Sequence, residues 1–469
     1  MTLPEEFTTY TRALMGEERF ARFLGALDEP APVSIRVNPF KAKATPETGA
    51  DRVAWCRGGY YLDSRPAFTF DPLLHAGAYY VQEASSMFID HVVRQFVHAP
   101  VTALDLCAAP GGKTTCLRAA LPEGSRLYSN EPHPKRAQIL AENVVKFGHP
   151  EVVVTNNYAI DYQRAGLRFG LILADMPCSG EGMFRKDPES IGEWSPANVE
   201  KCAALQRSIL ADIWPCLLPG GLLIYSTCTF NADEDEHIIS AFIAENDALP
   251  VAVTLDCALP GVAGAIEPGV EALRFLPGRV RGEGLFVSVM QKPGDQAGTY
   301  TESGKSDKKN KGKNKGKNSG AGVVPCARET AAWLADGGAE TDLVMRDDTI
   351  YGIQKRHTQL YQALDRELDI IHAGTEIATV KGRDAIPAHA LALSPMLSAD
   401  AFTHVEIDRD TTLKYLRRDA ITLPAGTPRG YILLTHDNVP LGFVKNLGNR
   451  SNNLYPTPWR ILSAIPREE

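Results

Sequence analysis

Two cysteines stand where a thiol can do chemistry. Asp175-Met176-Pro177-Cys178-Ser179-Gly180-Glu181-Gly182 follows the apolar run Leu171-Ile172-Leu173-Ala174, and Ser226-Thr227-Cys228-Thr229 follows Leu222-Leu223-Ile224-Tyr225. A cysteine inside a strand is ordinarily inert packing. A thiol just past a strand end, among Ser, Thr and Asp, is instead placed to act as a nucleophile. Asp175 beside it is a candidate hydrogen-bond partner for a reacting ring, and donates only if its surroundings raise its carboxyl pKa.

A second constellation lies upstream. Ala103-Leu104-Asp105-Leu106 reads as a strand and runs into Cys107-Ala108-Ala109-Pro110-Gly111-Gly112-Lys113-Thr114. Small residues and two glycines let a backbone turn approach a ligand at a helix N-terminus. A phosphate-binding P-loop would need glycine at 107, where Cys107 stands. The next strand, Arg126-Leu127-Tyr128-Ser129, ends at Asn130-Glu131, where a carboxylate can take the two hydroxyls of a cofactor ribose.

These residues need a scaffold that gathers strand ends. From Val101 to Val289 strands alternate with helices, which predicts a mostly parallel, doubly wound α/β sheet. Further strands are expected at Val152–Val154, Leu171–Ala174 and Leu222–Tyr225. A helix opens at Pro134 and ends at Gly148, another surrounds Leu205, Ile209 and Ile213, and Pro219-Gly220-Gly221 reads as a turn. Ligands bind beyond the carboxyl ends of such strands, so both cysteine segments and the glycine loop should share one crevice. Ahead of the sheet, two short helices over residues 4–27 carry Phe20, Phe23 and Leu24 on one face, and Val33–Asn38 reads as a strand.

The length of 469 residues predicts several domains, and 44% hydrophobic with 23% charged residues is ordinary for a globular protein. No apolar run is long enough for a bilayer, and Met1–Glu6 lacks the features of a secretory signal, so a cytoplasmic chain is expected. Nine cysteines without C-x-x-C spacing imply neither a zinc site nor a disulfide framework. A net charge of −8 argues against polyanion binding by the whole surface but leaves room for a local basic groove. The expected domains are an α+β region over 1–95, the doubly wound sheet over 96–295, a Lys/Gly/Asn-rich linker over 296–325 and a C-terminal region over 326–469. In the last, helices at Ala331–Leu334 and His357–Leu364 precede strands at Gly430–Leu434 and Leu441–Val444. The tail Lys445–Tyr455 reads as loops suited to phosphate and unstacked bases.

Taken together, these motifs resemble the RNA 5-methylcytosine methyltransferases of the Sun/nucleolar-protein family, in particular the bacterial small-subunit rRNA branch. The resemblance extends over Arg36-Val37-Asn38, Gln82–Met87, the 107–114 loop, Asp175–Gly180, Arg185-Lys186-Asp187-Pro188, Tyr225–Thr229 and Arg274–Phe286. It implies a Rossmann-like methyltransferase fold as the catalytic domain over 96–295, RNA binding by the α+β region over 1–95 and a PUA-like RNA-binding module from Gly382 to Tyr455. Cofactor and partner are then S-adenosyl-L-methionine and RNA, either small-subunit rRNA or a ribosomal particle, bound by a monomer with no membrane association. Cys228 becomes the nucleophile and Cys178 assists release. The chemistry is coherent: carbon 5 of cytosine attacks a sulfonium methyl only after a thiolate has added to carbon 6.

For cofactor binding, the resemblance carries over Cys107, Ala108, Ala109, Pro110, Gly111, Gly112, Lys113, Glu131 and Asp175. Where the family usually has an aspartate after the third strand, this chain reads Thr155-Asn156-Asn157-Tyr158, so Asn157 or Asp161 takes that contact. Arg185 and Lys186 are candidate phosphate contacts on the substrate RNA. An adenine-N6 methyltransferase would want an aromatic ring where Cys178 stands. A catalytically idle RNA-binding or ribosome-assembly protein would not need both cysteines. A tRNA substrate remains a further alternative.

Overall fold

The computed structural model describes residues 1–41, 51–255, 259, 261–295, 324, 326–364 and 366–464. The expected linker therefore lies, apart from Val324, outside the described residues.

Two amphipathic helices, Glu5–Met15 and Glu17–Leu27, open the chain, broken by Gly16 at φ 75. Their apolar stripe packs on rings from the catalytic region: Phe7 meets Phe184 and Trp194 at 5.2 and 5.4 Å, and Phe23 meets Phe230 at 4.8 Å. Of the face expected from sequence, Phe20 and Phe23 are buried and Leu24 packs at its edge. Strands β1 (Val33–Val37), β2 (Gly59–Leu62) and β3 (Tyr79–Val81) form an antiparallel sheet in the order β2-β1-β3. Buried Arg36 of β1 donates to Gln82 Oε1 at 2.7 Å and Thr115 Oγ1 at 2.5 Å, tying this sheet to the first helix of the catalytic region.

The catalytic region is built on parallel strands β4 (Thr102–Asp105), β5 (Arg126–Asn130), β6 (Val152–Thr155), β7 (Phe169–Asp175) and β8 (Leu217–Thr227). Antiparallel β9 (Leu249–Pro250), β10 (Ala263–Gly264), β11 (Leu273–Phe275) and β12 (Leu285–Gln291) extend it beyond β8. The order is β10-β11-β12-β8-β7-β4-β5-β6, so the winding reverses between β4 and β7. Alternate side chains feed two cores: Ala103, Leu127, Leu171 and Ile224 face one, Leu104, Tyr128, Ile172 and Tyr225 the other. The expected turn at Pro219-Gly220-Gly221 is not a turn. These residues lie inside β8, where the pairing slips from Phe169↔Leu217 to Leu171↔Leu222 and a bulge absorbs them.

The C-terminal region holds two four-stranded sheets. One comprises β13 (Thr341–Arg346), β14 (Thr349–Gln354), β16 (Thr375–Lys381) and β17 (Asp384–Pro387); the other β18 (Thr403–Glu406), β19 (Gly430–His436), β20 (Val439–Asn446) and β21 (Ser451–Asn453). The strand that lies in sequence between β14 and β16, β15 (Ile370–Ala373), leaves the region and pairs antiparallel with β6, so the main sheet carries a C-terminal strand on its edge. Of the helices expected at the start of the region, the structure has Ala327–Ala331 and Lys355–Leu364, separated by the β13–β14 hairpin; Trp333 sits beyond the first in a turn and Leu334 in an isolated bridge to Leu397. Two further helices, His389–Leu393 and Arg409–Arg417, follow. The tail after Lys445 is not all loop: β21 occupies part of it, Tyr455 is fully buried, and Asn446 ties the carbonyls of Thr427 and Pro428. Asn449, Arg450 and Asn452 are its exposed polar groups.

Glu151, at the start of β6, anchors the C-terminal region. Its carboxylate accepts from Arg356 and from His357 Nε2 at 3.3 Å, while Arg126 donates to the other nitrogen of His357. Burial pushes its pKa up, but the His357 and Arg356 hydrogen bonds outweigh that and hold it at about 2. A depressed carboxyl stabilises the fold above its unfolded value near 4.5 and loses that contribution as pH falls towards 2. Glu151→Gln should cost about 1–3 kcal/mol at pH 7, discounted because Arg356 is half exposed. Urea unfolding at pH 7, 4 and 3 should show the gap to wild type closing as the pH falls; a constant gap would remove the electrostatic explanation.

Candidate active site

The winding reversal between β4 and β7 opens a crevice at the carboxyl ends of the parallel strands, the place where doubly wound sheets bind ligands. Residues 107–111 cross from β4 into the helix Gly112–Ala120, with Gly111 in the left-handed region at φ 114. A side chain at Gly111 would also come within 3.3 Å of Leu140. Arg136 and Asn143 hold the loop by donating to the carbonyls of Ala109 and Pro110.

Under this loop Asp105 accepts from Thr114 Oγ1 at 2.7 Å through Oδ2, while its buried Oδ1 has no partner among the described residues. Burial raises the Asp105 carboxyl to about 7, against the Thr114 hydrogen bond. A buried acceptor left open is costly unless something donates to it. At the next strand end Glu131, almost fully buried, accepts from His133 N at 2.9 Å and lies 3.3 Å from Arg136. An open acceptor on Asp105, a carboxylate after β5 and a glycine turn at a helix N-terminus fit a cofactor that carries an ammonium group and a ribose diol. Cys107 is a half-buried thiol with its pKa pushed up by desolvation, then by Asp105 and Asp175.

Across the reversal, Asp175 closes β7 opposite Ser226 of β8. Lys113 Nζ sits 2.9 Å from Asp175 Oδ2, and Ser226 Oγ donates to Oδ1 at 2.7 Å. Cys178 Sγ and Cys228 Sγ are 3.4 Å apart, both free thiols. The hydrogen bond from Cys178 holds the Cys228 thiol low despite burial and Asp175, and Lys113 pulls the same way. Cys178 is pushed well up by the same contact, by burial and by the charges of Cys228 and Glu234. The pair is thus one donor thiol and one sulfur predisposed to ionise.

The structure therefore brings Cys178, Cys228, Asp175 and Lys113 into one cluster and sets the loop and Glu131 at neighbouring strand ends. Asn157 accepts from Asp369 N at 3.1 Å, and Asp161 caps its own helix and pairs with Arg164. Arg185 is a correction. Its guanidinium is buried, and four of its five N–H donors go to the two oxygens of Glu283 and the carbonyls of Ala26 and Gly282, so it is an internal tie and not a head group presented to a phosphate. Lys186 is exposed. Sequence reading missed Asp105, Ser226, Glu181 and Glu234 as site residues. Asp105 adjoins a recognised motif, and Ser226 and Glu181 lie inside two others. Glu234 sits in the acidic run Asp233–Glu236, where residue type alone does not distinguish a buried acid from an exposed one.

Three family models match successive stretches of the chain. The N-terminal domain of 16S rRNA methyltransferase RsmF matches residues 3–84, 16S rRNA methyltransferase RsmB/F residues 98–291, and the methyltransferase RsmF PUA domain residues 402–461. The ribosomal RNA small subunit methyltransferase F of Serratia proteamaculans is 28% identical, over 97% of this chain and 96% of its own length. That of Escherichia coli O127:H6 is 29% identical, over 97% and 95%. A solved methyltransferase homolog from Pyrococcus horikoshii, 25% identical, covers 62% of this chain and 95% of its own with a TM-score of 0.53. The fold is the Rossmann-like methyltransferase fold with a PUA domain towards the C-terminus. With a two-thiol cluster beside a cofactor crevice, and these matches along its length, the chain belongs to the RsmB/F family and is an S-adenosylmethionine-dependent RNA (cytosine-C5) methyltransferase.

Proposed function

We propose that this enzyme methylates carbon 5 of a cytosine in small-subunit rRNA through a covalent bond between Cys228 and carbon 6. The observation that carries the reading is the 3.4 Å contact of the two thiols beside the Lys113–Asp175 pair. The small-subunit rRNA substrate is supported by the names of the full-length relatives.

S-adenosylmethionine supplies an electrophilic methyl group. Glu131 would take its ribose hydroxyls, Asp105 its ammonium group, and the 107–113 loop its backbone. The target base leaves its stack to reach the thiols, since stacking hides carbon 6. Cys228 adds to carbon 6 as a thiolate. The Lys113–Asp175 pair would face N3, which gains negative charge in that addition. Carbon 5, now part of an enamine, would take the methyl group as the methyl's bond to the sulfonium sulfur breaks. The carbon 5 proton would then pass to solvent water as the carbon–sulfur bond breaks, and Cys228 departs as the thiolate, with Cys178 as its hydrogen-bond donor.

Methyl-labelled cofactor and the organism's own small-subunit rRNA test the thiol roles. Wild type should place label in 5-methylcytosine, Cys228→Ala should lose at least a thousandfold in rate, and Cys178→Ala should accumulate a denaturant-resistant protein–RNA adduct. An adduct formed by Cys228→Ala but not by Cys178→Ala would reverse the thiols. Absence of label on every RNA tried would favour an idle scaffold.

Lys113→Met removes the cation that lowers Cys228. The midpoint of iodoacetamide alkylation against pH should move upward, and an unmoved midpoint would exclude Lys113 as an activator. Glu131→Ala should weaken cofactor binding on the order of tenfold by calorimetry, as expected when a charged hydrogen-bond acceptor is deleted. Unchanged affinity would reject the ribose contact.

A further inference from the structure

Glu181 and Glu234 are both fully buried and form no ion pair among the described residues. Each is saturated by N–H donors. Glu181 follows Cys178 by three residues, yet its Oε2 accepts from the backbone N–H of Phe230 and Asn231, just after Cys228, at 2.5 and 3.1 Å. Its Oε1 accepts from Trp194 Nε1 and Asn231 Nδ2, both at 3.0 Å. Glu234 follows Cys228 by six residues, yet its Oε2 accepts from the N–H of Ser179, next to Cys178, at 2.9 Å. Gln206 Nε2 donates to that same oxygen at 3.0 Å and also to Pro177 O, while Asn231 Nδ2 donates to Glu234 Oε1 at 2.9 Å. Each cysteine segment is therefore gripped by a carboxylate from the other, with the Asn231 amide bridging the two. Gly182 allows the closest approach: its N–H donates to Cys228 O at 2.8 Å, and a Cβ there would lie 2.4 Å from that oxygen.

Two buried carboxylates without a cation are an expensive way to join loops that apolar packing could join. What they add is directional grip on backbone N–H groups adjoining the sulfurs. We infer that Glu181 and Glu234 form a reciprocal clasp of positioning residues, Glu181 setting the place of Cys228 and Glu234 that of Cys178. The inference rests on the proposed two-thiol mechanism and divides its steps: loss of Glu234 impairs what Cys178 does, loss of Glu181 what Cys228 does.

The test is the same adduct gel on full-length variants, scaled to the cofactor-binding fraction so that unfolded protein is discounted. Glu234→Ala should slow turnover more than tenfold while raising the adduct at least fivefold over wild type. Glu181→Ala should lose both turnover and adduct. In a Cys178→Ala background, Glu234→Ala should change the adduct less than twofold, because the group it positions is gone, and Glu181→Ala should lower it at least tenfold. Conservative variants separate grip from bulk. Glu234→Gln keeps an oxygen on Ser179 N and should recover much of the turnover, whereas Glu181→Gln sets an NH2 against two N–H donors in either orientation and should not. If both glutamates lower adduct and turnover alike per cofactor-binding molecule, the clasp is only structural and the inference fails. If the cysteine controls show the thiols reversed, Glu234 variants should still behave as Cys178 variants and Glu181 variants as Cys228 variants. In that case the clasp stands while the assignment of steps falls.

Discussion

The site depends on the register of β7 against β8. Asp175 pairs with Ser226, so Cys178 follows its member of that pair by three residues and Cys228 follows its own by two. A slip of one residue would send the alternating side chains of β8 to the opposite faces, breaking both cores as well as the thiol contact. The register is set at the far end of the pair, where the bulge around Pro219-Gly220-Gly221 takes up the extra residues before regular pairing resumes at Leu171↔Leu222. Prolines and glycines that read as a boundary in the sequence are thus the adjustment that brings two catalytic segments level.

Given that register, electrostatics sets the two thiols apart. Burial alone raises a cysteine pKa, and among the described cysteines Cys107, Cys178, Cys202 and Cys216 all move up. Cys228 moves down because it accepts a hydrogen bond from a neighbouring thiol and feels Lys113. The same thiol-to-thiol arrangement lowers Cys56 beside Cys116, where Arg36 also pulls down, but that pair is packed in the apolar core. A thiol pair near a cation is thus not enough. The pair at 178 and 228 adds the location at two neighbouring strand ends, while the surrounding acids are held by N–H and O–H donors.

Much of this was legible in the sequence because the chemistry of this fold sits at strand ends and strand ends are marked by apolar runs. Cys178, Cys228, Asp175 and Lys113 stand in such places and meet in space. What stayed hidden depended on burial, which a single sequence does not display for polar residues. Arg185 looked like a phosphate ligand and is an internal tie to Glu283. Glu234 stands in the acidic run Asp233–Glu236, where nothing in the residue types marks it, and has no exposed area. The C-terminal region read as a separate β-rich unit because nothing in Ile370–Ala373 says that its partner strand lies more than two hundred residues earlier.

That long-range pairing gives physical content to the departure at Asn157. The chain leaves the main sheet through β12 and rejoins it through β15 at the other edge, beside β6. Continuing from that pairing, Asn156 N donates to Asp369 O at 2.9 Å and Asp369 N donates to Asn157 Oδ1 at 3.1 Å. The segment after β6, where the family usually carries an aspartate, is here also the attachment point of the C-terminal region. An aspartate at 157 would accept the same N–H but set a second carboxylate beside Asp369, and like charges at such range repel. The amide makes the attachment without that repulsion. The substitution therefore follows from how the two regions join and needs no change in the chemistry at the thiols, which lie beyond β7 and β8 on the other side of the winding reversal.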